Sequence, residues 1–187
     1  ELLLITYSGG FYRFDNKADN FKKILKPANL NNLAAVEYLG NGRFLLGTNK
    51  GIHDITLKRK KNKEQNYEIS SSKLFFENQS ISDLIVFKER LVFSTWEKGL
   101  FSIDTTGGSL NTNNYEEIGD VKIYSLFEGS DGSVWCSTER GILLLSESLF
   151  EQVDPAKIKQ YIQDIITLKD NKIVVSDGSN VYNLKKQ

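Results

Sequence analysis

The chain has 187 residues, 40% of them hydrophobic and 11% aromatic, which suits a packed domain and excludes a disordered one. Lys and Arg balance Asp and Glu at 24 each, so no net field draws the protein toward nucleic acid or an acidic membrane, and no nucleic-acid partner is expected. No run of about 18 apolar residues is present, which excludes a spanning helix of the usual kind.

The apolar segments are short, alternate with polar positions and end at turn residues, so each reads as a strand. Residues 1–30 carry three, separated by Thr6-Tyr7-Ser8-Gly9-Gly10 and closing with Phe21 to Leu25. Residues 31–78 run from a strand at Ala34 to Leu39 through a turn at Asn41-Gly42 to Thr48-Asn49-Lys50-Gly51, then a strand through His53 and another at Tyr67 to Phe76. Residues 79–120 repeat this with Leu84 to Phe87, a turn at Lys88 to Arg90, the loop Thr95-Trp96-Glu97-Lys98-Gly99 and a strand at Tyr115 to Ile118. The fullest copy is 121–160: Ile123 to Phe127, Asp131-Gly132, Val134 to Thr138, Thr138-Glu139-Arg140-Gly141, Gly141 to Leu145 and Phe150 to Val153. Residues 161–187 hold Gln163 to Leu168, a turn at Asp170-Asn171 and a degraded loop, Ser176-Asp177-Gly178-Ser179-Asn180. The one stretch where a helical turn is expected is Pro155 to Tyr161.

The loops anchor a repeat at positions 10, 51, 99, 141 and 180, with steps of 41, 48, 42 and 39 residues. A period of that size made of strands alone predicts an all-β fold of β-propeller blades, each a four-stranded antiparallel sheet. The expected domain is a single array over 1–187: a partial blade at 1–30, blades at 31–78, 79–120 and 121–160, and a partial blade at 161–187. About four and a half blades leave apolar faces wet, because such arrays are stabilised by nearest-neighbour stacking. Hence the expected partners include the remainder of a larger propeller, or a second copy of the chain in a homodimer. No basic-then-apolar leader and no Met precede Glu1, as in a processed or trimmed chain.

Catalytic chemistry is sparsely represented. His53 is the single histidine, and its counterparts two residues after the other anchors are Phe101 and Leu143, so it reads as a packed strand residue. Cys136 is the single cysteine; beside Trp135 it reads as a small buried hydrophobe. Glu97 with Glu139, or Asp83 with Asp164, are the acids that could pair as acid and base, but surface acids are ordinarily solvated. Gly9-Gly10 and Gly107-Gly108 are turn glycines rather than a phosphate loop. No catalytic residue, metal site or cofactor is expected, and the segment is read as a non-enzyme. The basic run Lys58 to Lys63 reads as the solvated tip of a hairpin.

With the first strand of each blade innermost, the Thr-containing loops share one face with the inter-blade links, including Asn31, Asn32, Asn78, Gln79, Ser80, Asp120 and Lys122. That face carries Asn49, Lys50, Trp96, Glu97, Lys98, Glu139 and Arg140, an aromatic plate among amides and charges, and these seven are the candidate ligand-binding residues. Trp135, in contrast, alternates into the space between blades and is expected in the core.

The stretch Ile123 to Leu145, with Asp131-Gly132-Ser133-Val134-Trp135 and Thr138-Glu139-Arg140-Gly141-Ile142, resembles the two-component regulator propeller repeat. Other copies keep Thr48 with Gly51 and Thr95 with Gly99, while the tryptophan position reads as Leu45 in the second copy and Phe93 or a neighbour in the third. The resemblance implies the extracytoplasmic, periplasmic sensor part of a hybrid two-component histidine kinase, signalling in response to glycan fragments. The expected function is therefore a ligand-sensing propeller segment with an oligosaccharide or other small polar ligand. The alternative is a protein-interaction propeller scaffold that takes no small molecule.

Overall fold

The computed structural model describes residues 2–60, 67–104, 112–114, 121–130, 132–145, 150–153, 162, 164–167, 173–176 and 180–184. Among these the regular structure is entirely β-strand, in five sheets whose strand order follows the chain. Sheet 1 holds β1 (Leu3–Ile5), β2 (Phe11–Asp15) and β3 (Asn20–Leu25). Sheet 2 holds β4 (Leu33–Tyr38), β5 (Arg43–Thr48), β6 (Gly51–Arg59) and β7 (Tyr67–Phe75). Sheet 3 holds β8 (Ile81–Phe87), β9 (Arg90–Thr95), β10 (Gly99–Asp104) and β11 (Thr112–Asn114). Sheet 4 holds β12 (Ile123–Glu128), β13 (Val134–Thr138), β14 (Gly141–Leu145) and β15 (Phe150–Val153); sheet 5 holds β16 (Asp164–Thr167), β17 (Ile173–Ser176) and β18 (Val181–Leu184).

Two compact units divide the chain, Glu1–Ile81 and Ser82–Gln187. In the first, alternate residues of sheets 1 and 2 meet in a core of Phe11, Leu30, Leu33, Phe44, Leu46, Ile55 and Leu57. The second has two such layers. Val92, Leu100, Val121, Ile123, Leu126, Val134 and Cys136 form one, and Trp135, Ile142, Leu144, Ile162, Ile165 and Val175 the other. Side chains one residue apart on β13, Trp135 and Cys136, thus enter different layers, as the two-residue period of a strand buried on both faces requires.

Turn chemistry explains the hairpins. Asn41 (φ 51°) and Gly42 (φ 77°) both take positive φ, and Arg43 N–H closes the turn on Gly40 O at 2.9 Å. The fourth copy turns differently: Gly132, at φ 72°, is itself the donor to Gly129 O at 2.9 Å, and Gly129 N–H donates to Ser133 O at 2.8 Å. In the third copy the turn is two residues, Lys88 (φ 46°) and Glu89 (φ 61°), and Arg90 already belongs to β9. The turn expected at Asp170-Asn171, the helical turn at Pro155 to Tyr161 and the strand at Tyr115 to Ile118 lie outside the described residues; the described fourth strand of sheet 3 is β11.

Of the two readings of the tryptophan position in the third copy, the neighbour of Phe93 is the right one. Trp135 precedes Thr138 by three residues, as Leu45 precedes Thr48, and the corresponding residue before Thr95 is Val92. Register agrees, since Trp135 pairs with Leu144, Leu45 with Asp54 and Val92 with Ser102, each three residues beyond its loop glycine.

Candidate functional site

The repeated threonine builds the loop that carries the candidate residues. Thr48 Oγ1 donates to Gly51 O at 2.9 Å and accepts Lys50 N–H at 3.1 Å. Thr138 does the same, donating to Gly141 O at 2.9 Å and accepting Arg140 N–H at 3.1 Å. In the loop with one extra residue Thr95 Oγ1 accepts Lys98 N–H at 2.9 Å, and in the first copy Thr6 Oγ1 accepts Gly10 N–H at 3.0 Å. Thr48, Thr95 and Thr138 are all buried, so the hydroxyl satisfies backbone groups that water does not reach. The side chains between threonine and glycine are released outward: Asn49, Lys50, Trp96, Glu97, Lys98 and Arg140 are exposed, and Glu139 is half-buried.

Of the seven candidates, Asn49 and Lys50 belong to the first unit and the other five to the second. In the first unit Lys50 O also accepts Asn78 N–H at 3.1 Å, fixing the loop to the segment that follows β7. His53 lies behind this loop, paired between Leu46 and Leu74 and 9% exposed. Burial, with Lys50 nearby, lowers its pKa and keeps the imidazole neutral.

In the second unit the structure adds a residue that sequence reading missed. Tyr124 meets Trp96 edge to face, ring centroids 5.8 Å apart and planes at 61°. The register of β12 slips between Ile123 and Ser125, a bulge that frees Tyr124 from the regular alternation; β4 slips at the same place, between Leu33 and Ala35. Glu139 N–H donates to Lys122 O at 3.0 Å, so the Thr138 loop is tied to the residues leading into this bulge. Trp96 keeps 40% of its surface exposed. The second unit therefore presents a two-ring platform whose own loops supply Glu97, Lys98, Lys122, Glu139 and Arg140. Rings offering a face and an edge suit the apolar side of a sugar or an aromatic side chain, and the surrounding charges suit hydroxyl or carboxylate groups.

Two residues that could act as nucleophile or base, Cys136 and Asp83, have structural duties. Cys136 is fully buried, and desolvation, with Asp83 nearby, pushes its thiol pKa up to about 12, far from a reactive thiolate. Asp83, read from sequence as a solvated surface acid, is half-buried on β8 and accepts Leu126 N–H of the neighbouring sheet at 2.6 Å and Leu84 N–H at 2.8 Å. It is a clamp between sheets. Trp135 is core, as its alternation required, at 2% exposure. Of the basic run, Lys58 and Arg59 end β6 and Lys60 Nζ pairs with Glu68 Oε2 at 3.2 Å, while Lys61 to Lys63 lie outside the described residues. Among the described residues no three His, Cys, Asp or Glu side chains gather as a metal site would require, and no helix is long and apolar enough to cross a membrane.

No protein-family model matches the chain, and no curated protein matches it. Solved structures do. The extracellular domain of BT4673 from B. thetaiotaomicron, assigned to a hybrid two component system, superposes with TM-score 0.67 at 13% identity over 99% of this chain and 26% of that one. YCF48 bound to D1 peptide gives TM-score 0.70 at 12% identity, covering 99% of this chain and 60% of that one. Virginiamycin B lyase from Staphylococcus aureus gives 0.65 at 10% identity, covering 97% and 64%. This chain spans about a quarter of the two-component domain and less than two thirds of the other two. At these identities the likeness establishes the fold: the chain is built as part of a β-propeller, an architecture found in extracellular domains of two-component proteins and also in an enzyme.

Proposed function

We propose that the chain is a non-catalytic, ligand-sensing segment of a larger propeller, in the extracytoplasmic part of a hybrid two-component regulatory protein, and that it takes a glycan or other small polar ligand. The observation that carries the reading is the Trp96–Tyr124 platform on threonine-framed loops, held at the end of a unit whose cysteine and Asp83 are committed to the core. The repeat-like stretch Ile123 to Leu145 and the fold shared with extracellular two-component domains support it. Trp96 and Trp135 are the two tryptophans, so fluorescence reports on one exposed and one buried ring. Titration with a glycan library followed by tryptophan emission should identify ligands that quench Trp96. Trp96→Ala and Tyr124→Ala should each weaken such a ligand by roughly 1 to 3 kcal/mol, the scale of a lost aromatic contact. Binding that is indifferent to both substitutions would sink the reading.

The second reading is a protein-interaction scaffold without a small-molecule ligand, favoured by a fold neighbour that is bound to a peptide. Capture of an extended peptide by the same platform, with no glycan response across the library, would decide for it.

A further inference from the structure

We infer that unit 2 carries a carboxylate-binding site at Arg90, at the turn end of sheet 3, which takes the carboxylate of a small organic acid. The site is independent of the Trp96–Tyr124 platform, whose Trp96 lies on the loop at the other end of β9.

Two repeats define the site by their difference. Arg43 precedes Thr48 by five residues and Arg90 precedes Thr95 by five, so each opens the second strand of a four-stranded sheet. In sheet 2 the acid three residues beyond the loop glycine answers the arginine. Arg43 Nε donates to Asp54 Oδ1 at 3.0 Å and Nη2 to Asp54 Oδ2 at 2.7 Å, a two-pronged pair. In sheet 3 that position is Ser102, and register holds it in the same relation, opposite Val92 as Asp54 is opposite Leu45. One hydroxyl stands where the other repeat has two carboxylate oxygens. Arg90 Nη2 donates to Ser102 Oγ at 2.9 Å, while Arg90 Nε is buried with no acceptor. Among the described residues Arg90 belongs to no ion pair.

The bare nitrogen decides the chemistry. A guanidinium stays protonated, so its buried Nε–H remains a donor that costs free energy until an acceptor reaches it. Nε and Nη2 form a rigid planar fork matched to the two oxygens of a carboxylate, and Asp54 closes that fork at the equivalent place in sheet 2. Arg90 is half-buried, which leaves the guanidinium an open side. Val92 and Phe87 belong to the apolar layer beside it, where water competes poorly for the donors, and Lys88 Nζ, 5.1 Å from the Phe87 ring centroid, adds a second positive charge at the turn. An incoming carboxylate would accept Nε–H on one oxygen and Nη2–H on the other. The Ser102 hydroxyl, released as acceptor, can then donate its own proton to the second oxygen.

The probe is acetate, exchanged for chloride at constant ionic strength in a solution of the whole chain, with the arginine Nε–H resonances as the readout. Five arginines, Arg13, Arg43, Arg59, Arg90 and Arg140, give signals assignable by single replacement, and Arg43, already paired, is the internal reference. Acetate should shift the Arg90 signal and slow its exchange with water, with half-saturation below about 10 mM, the scale of two charge-assisted hydrogen bonds. Acetamide, of the same shape without the charge, should do neither. Arg90→Lys keeps the charge and loses the fork, and saturation transfer to the acetate methyl should show binding weakened about tenfold. Ser102→Asp supplies the counterpart of Asp54 and should abolish the acetate response while making the Arg90 signal resemble that of Arg43; if this variant does not fold, Arg90→Lys carries the test. An equal shift at the other arginines, a response only above about 100 mM, or full binding by Arg90→Lys would overturn the proposal. Asp104 stands opposite Arg90 in the ladder, so a response that appears only after Asp104→Asn would show that the chain fills its own fork, and would overturn it too.

Discussion

Removing the two tryptophans separately tests the division between frame and surface. Trp135 is 2% exposed and packs among Ile142, Leu144, Ile162, Ile165 and Val175, so Trp135→Ala leaves a cavity that neighbours on two sheets can only partly fill. The expected cost is about 3 to 5 kcal/mol. For a unit of this size that corresponds to a fall in melting temperature of roughly 10 °C or more. The indole also holds an unpaired donor, since Nε1 is buried without an acceptor. Trp135→Phe removes that donor, recovering about 1 to 3 kcal/mol of desolvation, which offsets the packing that the second ring of the indole provided. The phenylalanine variant should accordingly lie within about 1 kcal/mol of the parent. Trp96→Ala gives up an edge contact with Tyr124, worth about 0.5 to 1.5 kcal/mol, at a ring that keeps 40% of its surface exposed, so it should cost less than Trp135→Ala. Thermal and urea melts followed by circular dichroism give all three values. The reasoning fails if either Trp135→Phe or Trp96→Ala is as damaging as Trp135→Ala.

The buried, neutral His53 favours the native state only while it stays deprotonated: its folded pKa is lowered, so the unfolded chain binds the proton more tightly. Its contribution is full above the unfolded value near 6.5 and is lost as pH falls through the lower folded value, and in urea melts at pH 7.5 and 5 His53→Phe should flatten that slope. In the Lys88-Glu89 turn both residues sit at positive φ without being glycine, and replacing the pair by Asn-Gly should raise stability by about 1 kcal/mol after loss of the Lys88 contact with the Phe87 ring. No change in the melting temperature would mean the turn is unstrained. A Cβ on Gly51 would sit 2.5 Å from Phe75 O and 2.7 Å from Phe76 O at φ 127°, whereas one on Gly40 meets nothing within 4 Å. Gly51→Ala should therefore cost at least about 2 kcal/mol and Gly40→Ala about 1, and equal melts would refute the steric account.

What could be read from the sequence was whatever a local pattern encodes. Strand alternation, Asn41-Gly42 and the Thr-to-Gly spacing depend on residues within a few positions of each other, so β2, β5, β9 and β13 and their loops fell where the period placed them. Even the degraded last copy kept its anchor, because Ser176 pairs with Val181 as Ser137 does with Ile142, which puts Asn180 at the glycine position. Features that depend on a neighbouring sheet were hidden. Asp83 looks like any polar residue at a strand start until Leu126, 43 positions later, presents an N–H to it. Tyr124 alternates as a strand residue until the bulge turns it toward Trp96, and the pairing of Lys88 and Glu89 in a left-handed turn breaks the residue preference that makes such turns recognisable.

The threonine frame also explains why a repeat this divergent keeps its loops. Thr48 and Thr138 make the same two bonds at the same lengths, although the residues between threonine and glycine are Asn-Lys in one loop and Glu-Arg in the other. The loop backbone is set by the hydroxyl and by a glycine at positive φ. Thr95 tolerates one further residue by moving its accepted N–H from the second to the third position, to Lys98, and it is this longer loop that holds Trp96 out from the sheet. Loop shape and loop chemistry are thereby separable. The frame can stay the same in physics while the exposed positions change, which is how one loop comes to carry Trp96 and another only Asn49 and Lys50.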